Sequence, residues 1–208
     1  MADPKIAAAV GALERALARF GRHMVIGGIA VIARGVRRLT DDLDVALWAD
    51  GVDLDALLLR LAREDVTPRI ADAAPFARQS QVLLLRHRKS GIDIDLSLAS
   101  LPFEDAALDR AEPVTIGRRR VRVAMPGDLI VYKAVAARER DRSDVERLLE
   151  IHGSAIDVVA VRRTVDELAR ALERPDLVDN LDLLIRKTRA ARERPRSVAR
   201  KRISKKRP

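Results

Sequence analysis

The chain has 208 residues, no cysteine, and a formal net charge of +9, and 48% of its residues are apolar. That length accommodates one compact domain, or one domain with a small helical annex. The lack of cysteine excludes disulfides, Cys-ligated zinc and thiol catalysis and suits a reducing cytoplasm, while the longest apolar run, MVIGGIAVIA, is about half the roughly 20 residues of a membrane span.

In chain order, residues 4–20 carry Ile6, Val10, Leu13, Leu17 and Phe20 at helical spacing, with Gly21 as the stop. Acidic and basic residues are spread through this segment, so it reads as a helix and not as a signal peptide. HMVIGG reads as a short buried strand ending in glycines, and IAVIARG as a brief helix that Gly35 terminates. DLDVALWA alternates strictly, with Asp42, Asp44, Ala46 and Trp48 on one face and Leu43, Val45 and Leu47 on the other. Residues 53–65 form a helix on Leu54, Leu57, Leu58 and Leu61. QVLLLRHRKSGIDIDLSLA predicts a hairpin turning at Lys89-Ser90-Gly91, and VTIGRRRVRVA another turning near Gly117-Arg118. From Pro126 the pattern is helical over 127–138, 142–152, 157–173 and 176–192, with Pro175 between the last two.

This layout predicts an α/β (α+β) chain: a core over 1–125 with a small mixed, partly antiparallel sheet and flanking helices, a helical C-terminal region over 126–192 packing on it, and a flexible tail over 193–208. The charge follows the same division. From Arg186 to Pro208 there are twelve Lys/Arg and one Glu, a net of +11, and the rest of the chain has 28 basic and 30 acidic residues, a net of −2. Attraction to polyanions therefore belongs to the tail. It can neutralise phosphates but has no aromatics to stack bases, and an acidic protein would suit it equally well.

Three features carry chemistry. Gly27-Gly28, at a strand-to-helix junction, is either a tight turn or a place where backbone N–H groups approach a phosphate. Asp42 and Asp44 share one side of a strand whose other side is apolar. Like charges so placed either face solvent or bind a hard divalent cation through oxygen. GIDIDLSLA repeats the pattern, with Asp93, Asp95 and Ser97 opposite Ile92, Ile94, Leu96 and Leu98. If the two strands are neighbours, three or four carboxylates converge, as metal-assisted phosphoryl transfer requires.

GG, then thirteen residues, then DLD, with RLTDDLDV leading in, resembles the signature of the DNA polymerase β-like nucleotidyltransferase superfamily. More narrowly, IARGVRRLTDDLDVAL, IDLSLASLPFE and MPGDLIVYKAVAARERDRSDVERLL resemble the AbiEii-like branch, which includes toxins of toxin–antitoxin pairs; the similarity covers about residues 20–150. The resemblance implies a nucleotidyltransferase fold and transfer of a nucleotidyl group from an NTP such as ATP to a hydroxyl of tRNA or protein. It implies Mg²⁺ or Mn²⁺ on Asp42, Asp44 and a third carboxylate, Asp95, with Asp93 as the fallback. Gly27 and Gly28 would hold the triphosphate. The family's helical lysine and R-x-x-D-x-x-D segment fall on Lys133, Arg138, Asp141 and Asp144. Lys133 would neutralise a phosphate, and the two acids would orient basic side chains or complete the site. Asp141 equally suits an N-cap, with Asp144 in the first turn. Arg38 and Thr40 are substrate contacts or plain turn residues. Ile29 departs from the commonest pattern, in which a serine follows the glycines and adds a hydroxyl contact to phosphate.

His23, His87 and His152 are scattered without ligand spacing, and Ser97 has no evident base. The basic hairpin at 117–123 is a solvated face or a lip for an RNA acceptor. Two functions therefore compete: a metal-dependent nucleotidyltransferase, with a cognate antitoxin as a further partner, and an inactive module of the same fold that binds nucleic acid or protein through its tail. Glycine pair, paired acids and third acid together favour the enzyme.

Overall fold

Strand β2 (Asp42–Trp48) runs through the middle of a seven-stranded sheet, and its residues explain why. Leu43 and Leu47 are wholly buried and Val45 nearly so, while Asp42 and Asp44 on the other face are only partly buried. The computed structural model describes residues 3–193, and the expected tail beyond lies outside the described residues. The sheet order is β3-β4-β5-β2-β1-β7-β6, with β1 at His23–Val25, β3 at Val66–Pro68, β4 at Val82–His87, β5 at Ile92–Ala99, β6 at Glu112–Ile116 and β7 at Arg119–Val123. This is the mixed α/β architecture that the alternating strands and amphipathic helices predict.

The decisive pairing is β2 with β5. They run parallel, so that Asp42 stands opposite Asp93 and Asp44 opposite Asp95. Ile94 and Leu96 are fully buried, as their β2 neighbours are, and continue the apolar face. A slip of one residue would turn the slipped strand's acids into the core, so hydrophobic alternation fixes the register that aligns the acids. β4 pairs antiparallel with β5 through the expected hairpin, and β1 antiparallel with β2.

Helix α1 (Pro4–Leu17) lies across β2, β5 and β7, burying Ile6, Val10, Leu13 and Leu17, and its expected last turn is absent because the helix stops before Gly21. Helix α2 (Gly27–Ala33) begins at the glycine pair and packs on β2. Helix α3 is Leu54–Ala62. The C-terminal helices are α6 (Pro126–Ala136), α7 (Glu139–His152), α8 (Val158–Ala171) and α9 (Asp176–Glu193). Helix α6 touches α2 and each of the other three, which brings the C-terminal helices to the glycine end of the sheet.

The periodicity misses three elements: strand β3, helix α4 (Ala73–Ser80) and helix α5 (Pro102–Arg110). β3 has three residues and ends in Pro68, tolerated because it is an edge strand. α5 buries only Ala107 and Leu108, too few to make a stripe. Its start is nevertheless coded: Pro102 occupies the first turn, and Glu104 accepts the backbone N–H of Ser100 at 2.9 Å and of Leu101 at 3.0 Å. α7 begins three residues before its expected start. Asp141 is therefore not the N-cap but lies inside the first turn, where its carboxylate accepts the Arg138 N–H at 3.3 Å.

Candidate active site

The site forms where β1 ends, α2 begins and the acid-bearing ends of β2 and β5 lie together. Gly27 has φ +61°, a conformation that side chains disfavour, and a Cβ there would fall 1.8 Å from Asp44 Oδ2. The Gly28 amide donates to the same carboxylate oxygen at 3.3 Å. The glycine pair is thus a turn folded directly onto the second acid of β2. Ile29, the departure from the common pattern, is buried in the core. A hydroxyl still stands over the turn: a Cβ on Gly28 would meet Thr40 Oγ1 at 2.6 Å. Thr40 donates that hydroxyl to Asp42.

The four strand acids differ in their partners. Among the described residues no Lys or Arg forms an ion pair with Asp42 or Asp44. Burial raises the Asp44 pKa, and the charges of Asp42 and Asp95 raise it further, against the Gly28 amide and the more distant Lys133. Asp95 is also raised, first by burial and then by Asp42 and Asp93, although Arg69 contacts it and opposes the shift. Asp93 is lowered, chiefly because Arg86 donates to it from Nε at 2.6 Å and from Nη2 at 3.1 Å. Arg69 adds a third donor to Asp93 at 3.2 Å. Asp95 is thus shifted in the same direction as Asp44 and Asp93 in the opposite one, although Arg69 reaches both β5 acids.

A second cluster joins the C-terminal helices to this end of the sheet. Lys133 on α6 is 9% exposed and donates to Asp141 at 2.7 Å, and it lies 3.0 Å from Asp144. Arg38 completes the cluster by donating to Asp144. Two cations and two carboxylates therefore balance out of water, and the loop before β2 is tied to α7. Arg38, Lys133, Asp141 and Asp144 are thus brought together. Arg138 joins only through its backbone N–H, its side chain being exposed. The histidines hold separate partners: His23 with Glu14, His87 with Ser90, and His152 with the Arg34 carbonyl.

The residue that sequence reasoning misses is Arg69, just past β3. A lone arginine in VTPRIADA has no periodicity or motif to mark it, and only the structure shows it beside Asp95.

The donor set suits a hard divalent cation. Asp42, Asp44 and Asp95 offer carboxylate oxygens only, and the partly buried Asp44 carries its charge beside like charges without a cation in contact. Among the described residues no three such groups already converge as a closed metal cage, Asp95 being committed to Arg69. A cavity of 460 Å³ is lined by Ile29, Ile32, Arg38, Leu39, Thr40 and Asp41, among others; it reaches the loop before β2 but none of Asp42, Asp44 and Asp95. A separate cavity of 930 Å³, reached by Ala7, Gly11, Lys89 and Arg118, contains none of the three acids.

No curated protein matches the chain significantly. Several solved structures are similar in shape. JHP933 from Helicobacter pylori is 13% identical with a TM-score of 0.48, covering 92% of this chain and 96% of that one. The antibiotic-resistance factor ANT(2″)-Ia in solution is 17% identical with a TM-score of 0.46, covering 93% and 97%. An antigenic nucleotidyltransferase-like protein from Paracoccidioides brasiliensis is 16% identical with a TM-score of 0.47, covering 86% and 91%. A family model described as a nucleotidyl transferase of unknown function (DUF2204) matches residues 6–182, the greater part of the chain, and the protein belongs to that nucleotidyl transferase family.

Proposed function

We propose that the chain is an active, metal-dependent nucleotidyltransferase that moves a nucleotidyl group from an NTP to a hydroxyl of tRNA or of a protein. The observation that carries this reading is the parallel pairing of β2 with β5, which sets Asp44 opposite Asp95 beneath the glycine turn. An inactive module has no use for the Asp42/Asp44 pair, which among the described residues has no counter-cation in contact, since its charge repulsion only weakens the fold.

Asp42, Asp44 and Asp95 would hold Mg²⁺ or Mn²⁺. When bound, the metal would neutralise phosphate charge and make the acceptor hydroxyl more acidic. The glycine turn lets the chain's backbone approach the triphosphate closely, and Arg38 and Thr40 line the adjoining cavity. The acceptor oxygen forms a bond to the α-phosphorus, and the bond from that phosphorus to pyrophosphate breaks. The hydroxyl proton would leave to Asp95, the β5 carboxylate that stands opposite Asp44. The Lys133 cluster braces the Arg38 loop from the far side.

The finer assignment follows the AbiEii-like resemblance: a toxin with a cognate antitoxin, acting in the cytoplasm, with the basic tail drawing in an RNA acceptor. No helix among the described residues is long and apolar enough to cross a membrane. The test incubates the protein with each labelled NTP, Mg²⁺ or Mn²⁺, and total tRNA or its own chain as acceptor, beside the Asp42→Ala/Asp44→Ala double variant. Label transfer by the wild type alone is expected. No transfer and no metal-dependent NTP binding would end the enzyme reading. Removal of residues 193–208 should lower RNA labelling and leave self-labelling intact.

A further inference from the structure

We infer that Arg69 is a positioning residue that competes with the divalent cation for Asp95, withholding the third carboxylate until the guanidinium releases it. The inference rests on the metal-dependent reading above and concerns how that site is controlled.

Arg69 is anchored at its backbone, where its N–H donates to the Leu84 carbonyl at 2.9 Å. Leu84 of β4 stands opposite Asp95 of β5. The guanidinium therefore spans the neighbouring strand to reach Asp95, while its other nitrogen lies 3.2 Å from Asp93. Asp93 does not depend on it, because Arg86 already supplies two donors there. Arg69 is thus spare at Asp93 and, among the described residues, the one cation paired with Asp95.

Arg69 donates to Asp95 Oδ1, and a hard cation brought to that oxygen meets both an occupied acceptor and the like charge of the guanidinium. The Arg69 side chain is 27% exposed, so it has solvent into which to move. A triphosphate offers its planar fork an alternative, charge-assisted partner in two phosphate oxygens. Nucleotide and cation should therefore help each other bind, with Arg69 passing from carboxylate to phosphate.

The test titrates Mn²⁺ alone into the full-length protein and follows free Mn²⁺ by electron paramagnetic resonance, with thermal unfolding as a check on folding. Arg69→Gln should bind Mn²⁺ about threefold to fivefold more tightly than wild type, the upper part of the range expected when a partly exposed ion pair no longer competes. Arg69→Lys keeps the charge but loses the fork, and should fall between the two; it carries the test if the glutamine variant is unfolded. Arg86→Gln, which frees only Asp93, should stay within about twofold of wild type. Unchanged or weaker binding in Arg69→Gln, or an equal gain in Arg86→Gln, would overturn the role of Arg69 and leave the metal site standing. Mn²⁺ binding that survives Asp42→Ala/Asp44→Ala would instead overturn the metal site itself.

Discussion

The two acid pairs are written alike and behave differently. Asp42-Leu43-Asp44 and Asp93-Ile94-Asp95 sit on adjacent parallel strands in exact register. On β2 the acids meet a glycine turn and a threonine hydroxyl, and no cation pairs with them among the described residues. On β5 they meet Arg69 and Arg86. The acids of the central strand keep their charge unpaired among the described residues, whereas those of the strand next to β4 are reached by arginines of β4 and the segment after β3. A D-x-D pattern therefore states where carboxylates point, and the neighbouring strand decides what they do.

The strongest way to break this comparison is to neutralise each β5 acid in turn. Asp95→Asn should lower NTP transfer by about a thousandfold, roughly 4 kcal/mol of transition-state stabilisation. Asp93→Asn should cost less than about fivefold, in line with loss of a surface ion pair. Equal losses, measured as kcat/KM for labelled NTP, would mean that β5 acts as a unit and that the arginines do not sort its acids. The Lys133 cluster comes next, since Lys133 is the cation whose field reaches Asp44 without touching it. Lys133→Met strands the buried Asp141 and should lower stability by about 3–5 kcal/mol in urea unfolding. Adding Asp141→Asn in the same chain should recover much of that loss, because the stranded charge is what destabilises.

The glycines sharpen the β2 side. Gly27→Ala places a methyl group on the Asp44 carboxylate at a positive φ, so it should cost about 1–2 kcal/mol in unfolding and also most of the Mn²⁺ binding. Gly28→Ala meets only the movable Thr40 side chain and the Arg38 tip, and should cost less in both measurements.

How much of this was legible in the sequence follows from where each signal resides. Strand alternation in DLDVALWA and IDIDLSLA is local and strong, so the shared face of each pair could be read directly, and their adjacency was the one condition left open. The structure supplies it, and it shows two Arg86 donors on Asp93 and Arg69 on Asp95, which the sequence pattern does not. The short elements were illegible for lack of length: β3 has three residues, and α5 has two buried side chains. The Asp141 cap was misplaced because ERDRSD contains several residues able to start a helix, and tertiary contact with Lys133 selects the earlier start. Arg69 was invisible because its meaning lies in a partner 26 residues away across two strand pairings.

The smallest predicted effect has opposite signs on the two strands. The folded pKa of Asp44 is raised, so above the ordinary carboxylate range the folded state carries a charge that the unfolded chain holds more easily. In metal-free protein at pH 7, Asp44→Asn should therefore raise Tm, by no more than the 2–4 °C that about 1 kcal/mol gives in a chain of this size. The gain should shrink as pH falls and vanish below the unperturbed value of 3.8, where both states are protonated. Asp93 is the mirror image. Its folded pKa is lowered by Arg86, so the pair stabilises the fold above 3.8 and that stabilisation is lost as pH falls through the folded value. Asp93→Asn should lower Tm at pH 7, and its deficit should likewise close in acid. Saturating Mg²⁺ should separate the two strands further. It should raise the wild-type Tm and reverse the advantage of Asp44→Asn, because the charge that weakens the empty site then has its cation. A thermal scan of both variants across pH, with and without Mg²⁺, reads all of these signs in one experiment, and equal signs for Asp44 and Asp93 would erase the distinction between the two acid pairs.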